Sequence, residues 1–100
     1  MSKAFNVVRY TVKKGADDEF LRLQRSAGAK ISGSLRFVLL KTGEGQYCNI
    51  GEWPSMDLLQ KNMPNLIAWL DTYRHLLDDV RLGTGVTDAV SGAAVWDTQE

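Results

Sequence analysis

Leu35-Arg36-Phe37-Val38-Leu39-Leu40-Lys41-Thr42, then Gly43-Glu44-Gly45, then Gln46-Tyr47-Cys48-Asn49-Ile50-Gly51-Glu52-Trp53, is the stretch that decides the fold. Two strand-like runs flank a short spacer with two glycines, which is the pattern of a β-hairpin. The first run holds consecutive apolar residues from Phe37 to Leu40, so its strand is apolar on both faces. A strand with one face in water alternates between apolar and polar side chains instead. This hairpin is therefore expected in a sheet that is covered on both sides.

Upstream, residues 5–13 are rich in β-branched and aromatic types and stop at Lys14-Gly15, a first strand and its turn. Asp17-Asp18-Glu19 follow, with Arg22 and Arg25 later, an order of charge that complements a helix dipole. Phe20, Leu23 and Ala27 share one face of that helix, and Gly28 is placed to end it. Downstream, Pro54 closes the hairpin and Ser55 is a good N-cap, with Asp57 in the first turn. From residue 55 to about 80, Leu59, Met63, Leu66, Leu70, Tyr73, Leu77 and Val80 recur at steps of four and three, a helical stripe. Pro64 interrupts the stripe and predicts a restart just after Met63. Ile67, Trp69 and Leu76 broaden it beyond a coiled-coil seam, so it reads as the side that packs on a sheet. After Gly83-Thr84-Gly85 a last strand is expected within residues 86–98, with Ser91-Gly92 marking a bulge or an irregular start.

The order βαββαβ in 100 residues is that of an α+β, ferredoxin-like domain: a four-stranded antiparallel sheet with two helices on one face. One domain spanning residues 1–100 is expected. Two helices cover one face only, yet Asn6-Val7-Val8 and residues 37–40 place apolar groups on both. At roughly 25 cal/mol per Å² of apolar area, covering the second face would add several kcal/mol to a small domain. The simplest cover is an identical chain in a two-fold contact, so a homodimer through sheet faces is expected.

Twelve basic and twelve acidic residues cancel and are interspersed, which disfavours nucleic acid and anionic membrane as partners. No apolar run is long enough for a signal peptide or a membrane span, so a cytoplasmic protein without membrane contact is expected. A single cysteine, Cys48, and a single histidine, His75, exclude an intrachain disulfide and a Cys/His zinc cluster within one chain. The acidic runs lack the spacing of a calcium loop, and no protein-built metal site is expected. Cys48 has no neighbouring base in sequence, so an inert buried thiol stands beside the nucleophile reading.

Phe5-Asn6-Val7-Val8-Arg9-Tyr10-Thr11-Val12-Lys13-Lys14-Gly15 with Asp18-Glu19-Phe20, Tyr47-Cys48-Asn49-Ile50-Gly51-Glu52-Trp53-Pro54-Ser55, and Gly85-Val86-Thr87-Asp88-Ala89-Val90-Ser91-Gly92 are three short segments spread along nearly the whole chain. Together they resemble the antibiotic-biosynthesis-monooxygenase-like family of the dimeric α/β-barrel superfamily. The resemblance implies a dimer and no cofactor, since some members oxygenate aromatic polyketides or quinols without metal or flavin; others degrade haem, and many have no known activity. It also implies that Asn49 and Trp53 match an asparagine and a tryptophan that assist the oxygenation. Leu59 stands near where that branch carries a tyrosine, and Asn62 and Met63 where it often carries a histidine. For the haem-degrading branch, the first-strand asparagine aligns nearer Val8 than Asn6, while His75 falls at a fitting depth along the second helix.

Among single residues, His75 is the first candidate for proton transfer or haem ligation, because its ordinary pKa lies near neutrality. Asp71 and Asp79, four residues to either side, offer it a plain surface ion pair instead. Trp53 and Trp69 can wall a planar ligand or simply fill the core. Tyr73 lies on the apolar stripe. Asn49 is unusual inside a strand, where its amide must find a partner in a ligand or in the backbone. Asn6 and Tyr10 face away from Arg9 on the first strand, and Arg9 can meet an anionic ligand or pair with Glu52. The expected function is thus a cofactor-independent monooxygenase-like protein acting on a small aromatic or quinol. Asn49, Trp53 and His75 would be its catalytic candidates, and Asn6, Arg9, Trp69 and Tyr73 would contact substrate. A non-catalytic dimeric small-molecule-binding protein, or a haem-binding or haem-degrading protein through His75, are the alternatives.

Overall fold

The computed structural model describes residues 2–28, 31–78 and 87–99. Strand β1 (Ala4–Val12) leads into helix α1 (Asp17–Gly28), then the hairpin β2 (Arg36–Gly43) and β3 (Gln46–Trp53). Helices α2 (Met56–Lys61) and α3 (Met63–Tyr73) follow, then a 3₁₀ turn (Arg74–Leu76), a two-residue strand β4 (Leu77–Asp78) and strand β5 (Asp88–Ala93). The sheet runs β2-β3-β1, with β4 and β5 both along the far edge of β1, and every pairing is antiparallel. This is the ferredoxin-like arrangement expected, with a fifth, very short strand added.

The hairpin turns at Glu44-Gly45, where Gly45 takes φ +69° and its carbonyl accepts from Val12 N at 2.8 Å. A side chain there would be strained and would crowd the Val12 carbonyl, which explains the glycine. Ser55 caps α2 as expected, its hydroxyl accepting from Leu58 N at 3.2 Å. Asn62 then divides the stripe into two helices, and Pro64 occupies the first turn of α3, where its missing N–H costs nothing.

The stripe was expected to stay helical to about residue 80, and the structure corrects this. The helix ends at Tyr73, and Leu77-Asp78 instead pair with Val12 and Thr11 while Lys13 N donates to Leu76 O at 2.8 Å. Leu77 is buried as its position on the stripe demands, but in an extended backbone. Apolar spacing specifies that a residue is buried; it does not specify the backbone that buries it. A second correction concerns β5. Ser91 and Gly92 lie opposite Asn6 and Phe5 in regular register, with no bulge. Asp79, Val80, Gly83-Thr84-Gly85 and Val86 lie outside the described residues.

Alternation sorts β1 cleanly. Ala4, Asn6, Tyr10 and Val12 point toward the helices and are buried. The main core joins Tyr10, Val12 and Tyr47 of the sheet to Phe20 of α1 and to Trp69 and Tyr73 of α3. A second, smaller cluster gathers Ala4, Trp53 and Leu59. Edge-to-face contacts run from Trp53 to Phe37, Trp69, Tyr73 and Tyr10 at centroid distances of 5.2–6.1 Å. Among the described residues no helix lies on the other sheet face: Val90, Val7, Ile50 and Val38 stand opposite one another across four strands. No helix among the described residues is long and apolar enough to cross a membrane.

Candidate functional site

Between α3 and the inner sheet face lies a pocket of about 180 Å³. Asn6, Val8 and Tyr10 of β1 and Asn49 of β3 form its floor, and Trp69 and Tyr73 of α3 overhang it. Met63 and Ile67, both half-exposed, line it too, with Thr87 and Ala89 on the β5 side. A cavity of about 150 Å³ holds one benzene ring, so this pocket suits a single substituted ring.

Polar atoms inside it are few and placed. Tyr10 and Tyr73 share a hydroxyl–hydroxyl hydrogen bond of 2.9 Å between two buried rings. Burial pushes the Tyr10 phenol far above its ordinary range, and the neighbouring Tyr73 adds to this. Burial also raises Tyr73, against the opposing pull of Tyr10 and of the Gln24 amide, which reaches it without closing a hydrogen bond of ordinary geometry. Tyr47, whose hydroxyl donates to Asp17 Oδ2 at 2.6 Å, is pushed up to about 12, chiefly by that bond. These phenols are therefore hydrogen-bonding groups at neutral pH and not bases.

All three tyrosines of the chain are raised. Their contribution to stability is complete below the ordinary phenol value of about 10 and is lost as pH climbs through the folded-state values. A spectrophotometric titration of the native protein should show almost no phenolate near pH 10. Ionisation should come at higher pH, in step with loss of the near-ultraviolet dichroism of the core. A normal three-tyrosine transition at pH 10 in a folded protein would contradict the packing described.

Asn49 is 3 % exposed, and its Nδ2 donates to Gln24 Oε1 of α1 at 3.1 Å. Its Oδ1 has no partner. Asn6 is committed elsewhere, accepting from Trp53 Nε1 at 2.8 Å. That bond needs Gly51 beside it, because a Cβ there would collide with Asn6 Oδ1 and stand 2.7 Å from Phe37 Cε1.

The structure thus brings Asn49, Asn6, Trp69 and Tyr73 together around one pocket and leaves three sequence candidates outside it. Trp53 is wholly buried in the smaller core cluster and does not line the pocket. Arg9 is exposed on the opposite sheet face, in register with Asp88; Glu52, its other expected partner, pairs with Lys3 at 3.0 Å and Arg36 at 2.9 Å. His75 is exposed in the 3₁₀ turn and does not line this pocket. Because the helix stops at Tyr73, the four-residue spacing from Asp71 no longer aligns the pair, and Asp71 bonds Arg74 instead. Cys48 is buried on the outer face between Arg9 and Leu40. Among the described residues no three His, Cys, Asp or Glu side chains gather to hold a metal ion.

Gln24 was missed. The face of α1 was read from Phe20, Leu23 and Ala27, yet Gln24 is the buried neighbour of Phe20 one turn on. Its position four residues after a core phenylalanine was the available signal.

These features define a class: a ferredoxin-like α+β chain with an apolar pocket between its sheet and helix α3. Its fold is that of the antibiotic-biosynthesis-monooxygenase-like proteins. The cofactor-independent oxygenase SnoaB from Streptomyces nogalater is similar over 100 % of both chains, with 20 % identity and a TM-score of 0.74. Rv0793 from Mycobacterium tuberculosis matches 97 % of this chain and 99 % of its own at 14 % identity and a TM-score of 0.73. A Nitrosomonas europaea protein provisionally named an antibiotic biosynthesis monooxygenase matches 95 % of this chain and 92 % of its own, at 14 % identity and a TM-score of 0.72. At such identities the likeness is one of fold. No family model and no curated protein matches the chain.

Proposed function

We propose that the chain is a cofactor-independent monooxygenase-like protein that acts on a small electron-rich aromatic, such as a quinol, and works as a homodimer. The observation that carries this reading is Asn49: a strand asparagine, almost fully buried, with an unpartnered amide atom beside a ring-sized apolar pocket. Burying an amide group without a partner is costly, so a ligand supplying one is the economical explanation.

In this reading the pocket excludes water and holds the ring against Trp69 and Tyr73, while Asn49 and the Tyr10–Tyr73 hydroxyl pair hydrogen-bond its oxygen substituents. Asn49 Oδ1 accepts from a substrate hydroxyl and so orients the ring, while the hydroxyl hydrogen that the Tyr10–Tyr73 bond leaves free donates to the oxygen carrying the charge once the substrate has lost a proton to solvent. Dioxygen then adds at the activated carbon as a hydroperoxide, whose O–O bond breaks to leave a carbonyl and release water. The substrate supplies the electrons, so no resident cofactor is needed. That SnoaB, which shares this fold, is a cofactor-independent oxygenase supports the same chemistry.

Oxygen uptake with a panel of single-ring quinols tests the proposal. Uptake is expected with at least one of them, and Asn49→Ala should lower the rate about 10²-fold, as removal of one positioned hydrogen-bonding group does elsewhere. No uptake with any quinol would leave the second reading, a non-catalytic dimeric ligand-binding protein. Two observations favour that reading: Leu59 is sealed into the core where a hydroxyl would be wanted, and the Trp53 indole N–H is already used by Asn6. Saturable binding of an aromatic without turnover would select it.

A further inference from the structure

Three buried side-chain polar atoms among the described residues lack a hydrogen-bond partner: Gln24 Nε2, Asn49 Oδ1 and Trp69 Nε1. They belong to one cluster. Asn49 and Gln24 are bonded to each other, and all three residues line an open cleft of about 760 Å³ between α1 and β2, which also carries Arg25, Ser32 and Ser34. Asn49 and Trp69 line the inner pocket as well, so the cluster stands between the two cavities. The three side chains are 8, 3 and 7 % exposed. Bulk water does not satisfy atoms so enclosed, and native proteins keep few such groups without a use for them.

Two amides that face each other satisfy one donor and one acceptor between them. Whichever way round they sit, one whole amino group and one carbonyl oxygen stay without a partner, and the indole adds a further N–H. A hydrocarbon ring would meet none of these. A ketone would meet the donors and leave the carbonyl bare.

We propose that Gln24 is a positioning residue for Asn49, and that the Gln24–Asn49 pair and the Trp69 indole together select an aromatic ligand bearing both a hydrogen-bond donor and an acceptor on its ring, as a hydroxyaryl ketone does. Gln24 fixes which atom of Asn49 is turned to the ligand. Asn49 and Trp69 line the inner pocket and meet the ligand there, whereas Gln24 lines only the cleft and acts through its bond to Asn49. This inference rests on the inner pocket being the ligand site and adds to it the pattern of polar groups that the ligand must carry.

Calorimetric titration of the full chain with 4-hydroxyacetophenone, acetophenone and toluene tests it. The wild type should prefer 4-hydroxyacetophenone to acetophenone by about tenfold, the effect of one satisfied buried group. Gln24→Met keeps the length and loses both amide atoms; it should erase that preference while leaving toluene affinity within about twofold. Gln24→Glu keeps the oxygen used by Asn49 and should retain the preference. Equal weakening of every probe by Gln24→Met, or an undiminished preference, would overturn the role given to Gln24. Toluene binding with no preference for the hydroxyl overturns the inference and leaves the pocket standing, whereas no binding of any probe removes both. Should Gln24→Met fail to fold, the side-chain ¹⁵N–¹H signals of Gln24, Asn49 and Trp69 in the wild type decide. They should shift with 4-hydroxyacetophenone and stay still with toluene, and unmoved signals in both titrations overturn the proposal.

Discussion

Trp53→Ala is expected to lower the unfolding free energy by about 3–5 kcal/mol, the usual cost of deleting a fully buried indole. Trp53 is 0 % exposed and packs with Ala4 and Leu59, and the ring of Phe37 meets it edge-on at 5.9 Å. Gly33, ahead of β2, also lies against it, since a Cβ there would stand 3.9 Å from the indole ring. Little in this surround can collapse into the space, because β1, β3 and α2 are each held by their own ladders and caps. Trp53→Phe separates the two parts of the loss. It keeps much of the ring volume but leaves Asn6 Oδ1 without its donor, and should cost about 1–3 kcal/mol. Urea unfolding at one fixed protein concentration measures both, since self-association makes apparent stability depend on concentration. The same pair of variants distinguishes a core tryptophan from one that walls the ligand. Trp53→Phe should leave ligand affinity per folded molecule nearly unchanged. A small stability loss for Trp53→Ala, with ligand affinity abolished, would restore Trp53 to the site.

The hairpin was legible because two independent signals agreed there: two strand-like runs flanking a spacer with two glycines on one hand, and apolar residues on both faces of residues 37–40 on the other. Helix α1 was legible from charge order, and the division of α2 from α3 from Pro64. The end of α3 was not legible, because Leu77 satisfies a helical stripe and a strand pairing equally well, and only the contact with Val12 chooses between them. That single error misplaced His75. A residue carried around the end of a helix loses its face, and with it the neighbours that spacing had assigned. Asn49 was legible as a polar residue inside a strand. Gln24 was not read, because glutamine on a helix is ordinarily a surface residue and its burial depends on the long-range contact with β3. Trp53 presents the opposite case. Its motif pointed toward chemistry, yet its indole N–H is already used by Asn6, a partner 47 residues away in sequence.

Val90→Glu should split the proposed dimer into single chains. Val90 is 66 % exposed and begins the row that continues through Val7 and Ile50 to Val38, at right angles to four strands. Leu40 and the ring of Phe5 extend the same face, and Trp96, beyond the end of β5, is 78 % exposed. A two-fold axis places any substitution on this face in the contact twice, so one glutamate per chain brings two carboxylates against apolar surface, and each ion costs several kcal/mol to desolvate. Sedimentation at micromolar concentration should give twice the 11.1 kDa chain mass for the wild type and the single-chain mass for Val90→Glu. Far-ultraviolet dichroism should be unchanged, because Val90 supports no helix of its own chain. Val90→Ala should stay dimeric. A wild type that sediments as one chain would remove the dimer from the proposal. The pocket supplies a second readout: Ala89, the residue before Val90, lines it on the β5 side, so the proposed pairing of outer faces would steady a strand that borders the pocket. Loss of the dimer should therefore weaken binding of a ring-sized ligand, although the substitution lies on the opposite face of the sheet.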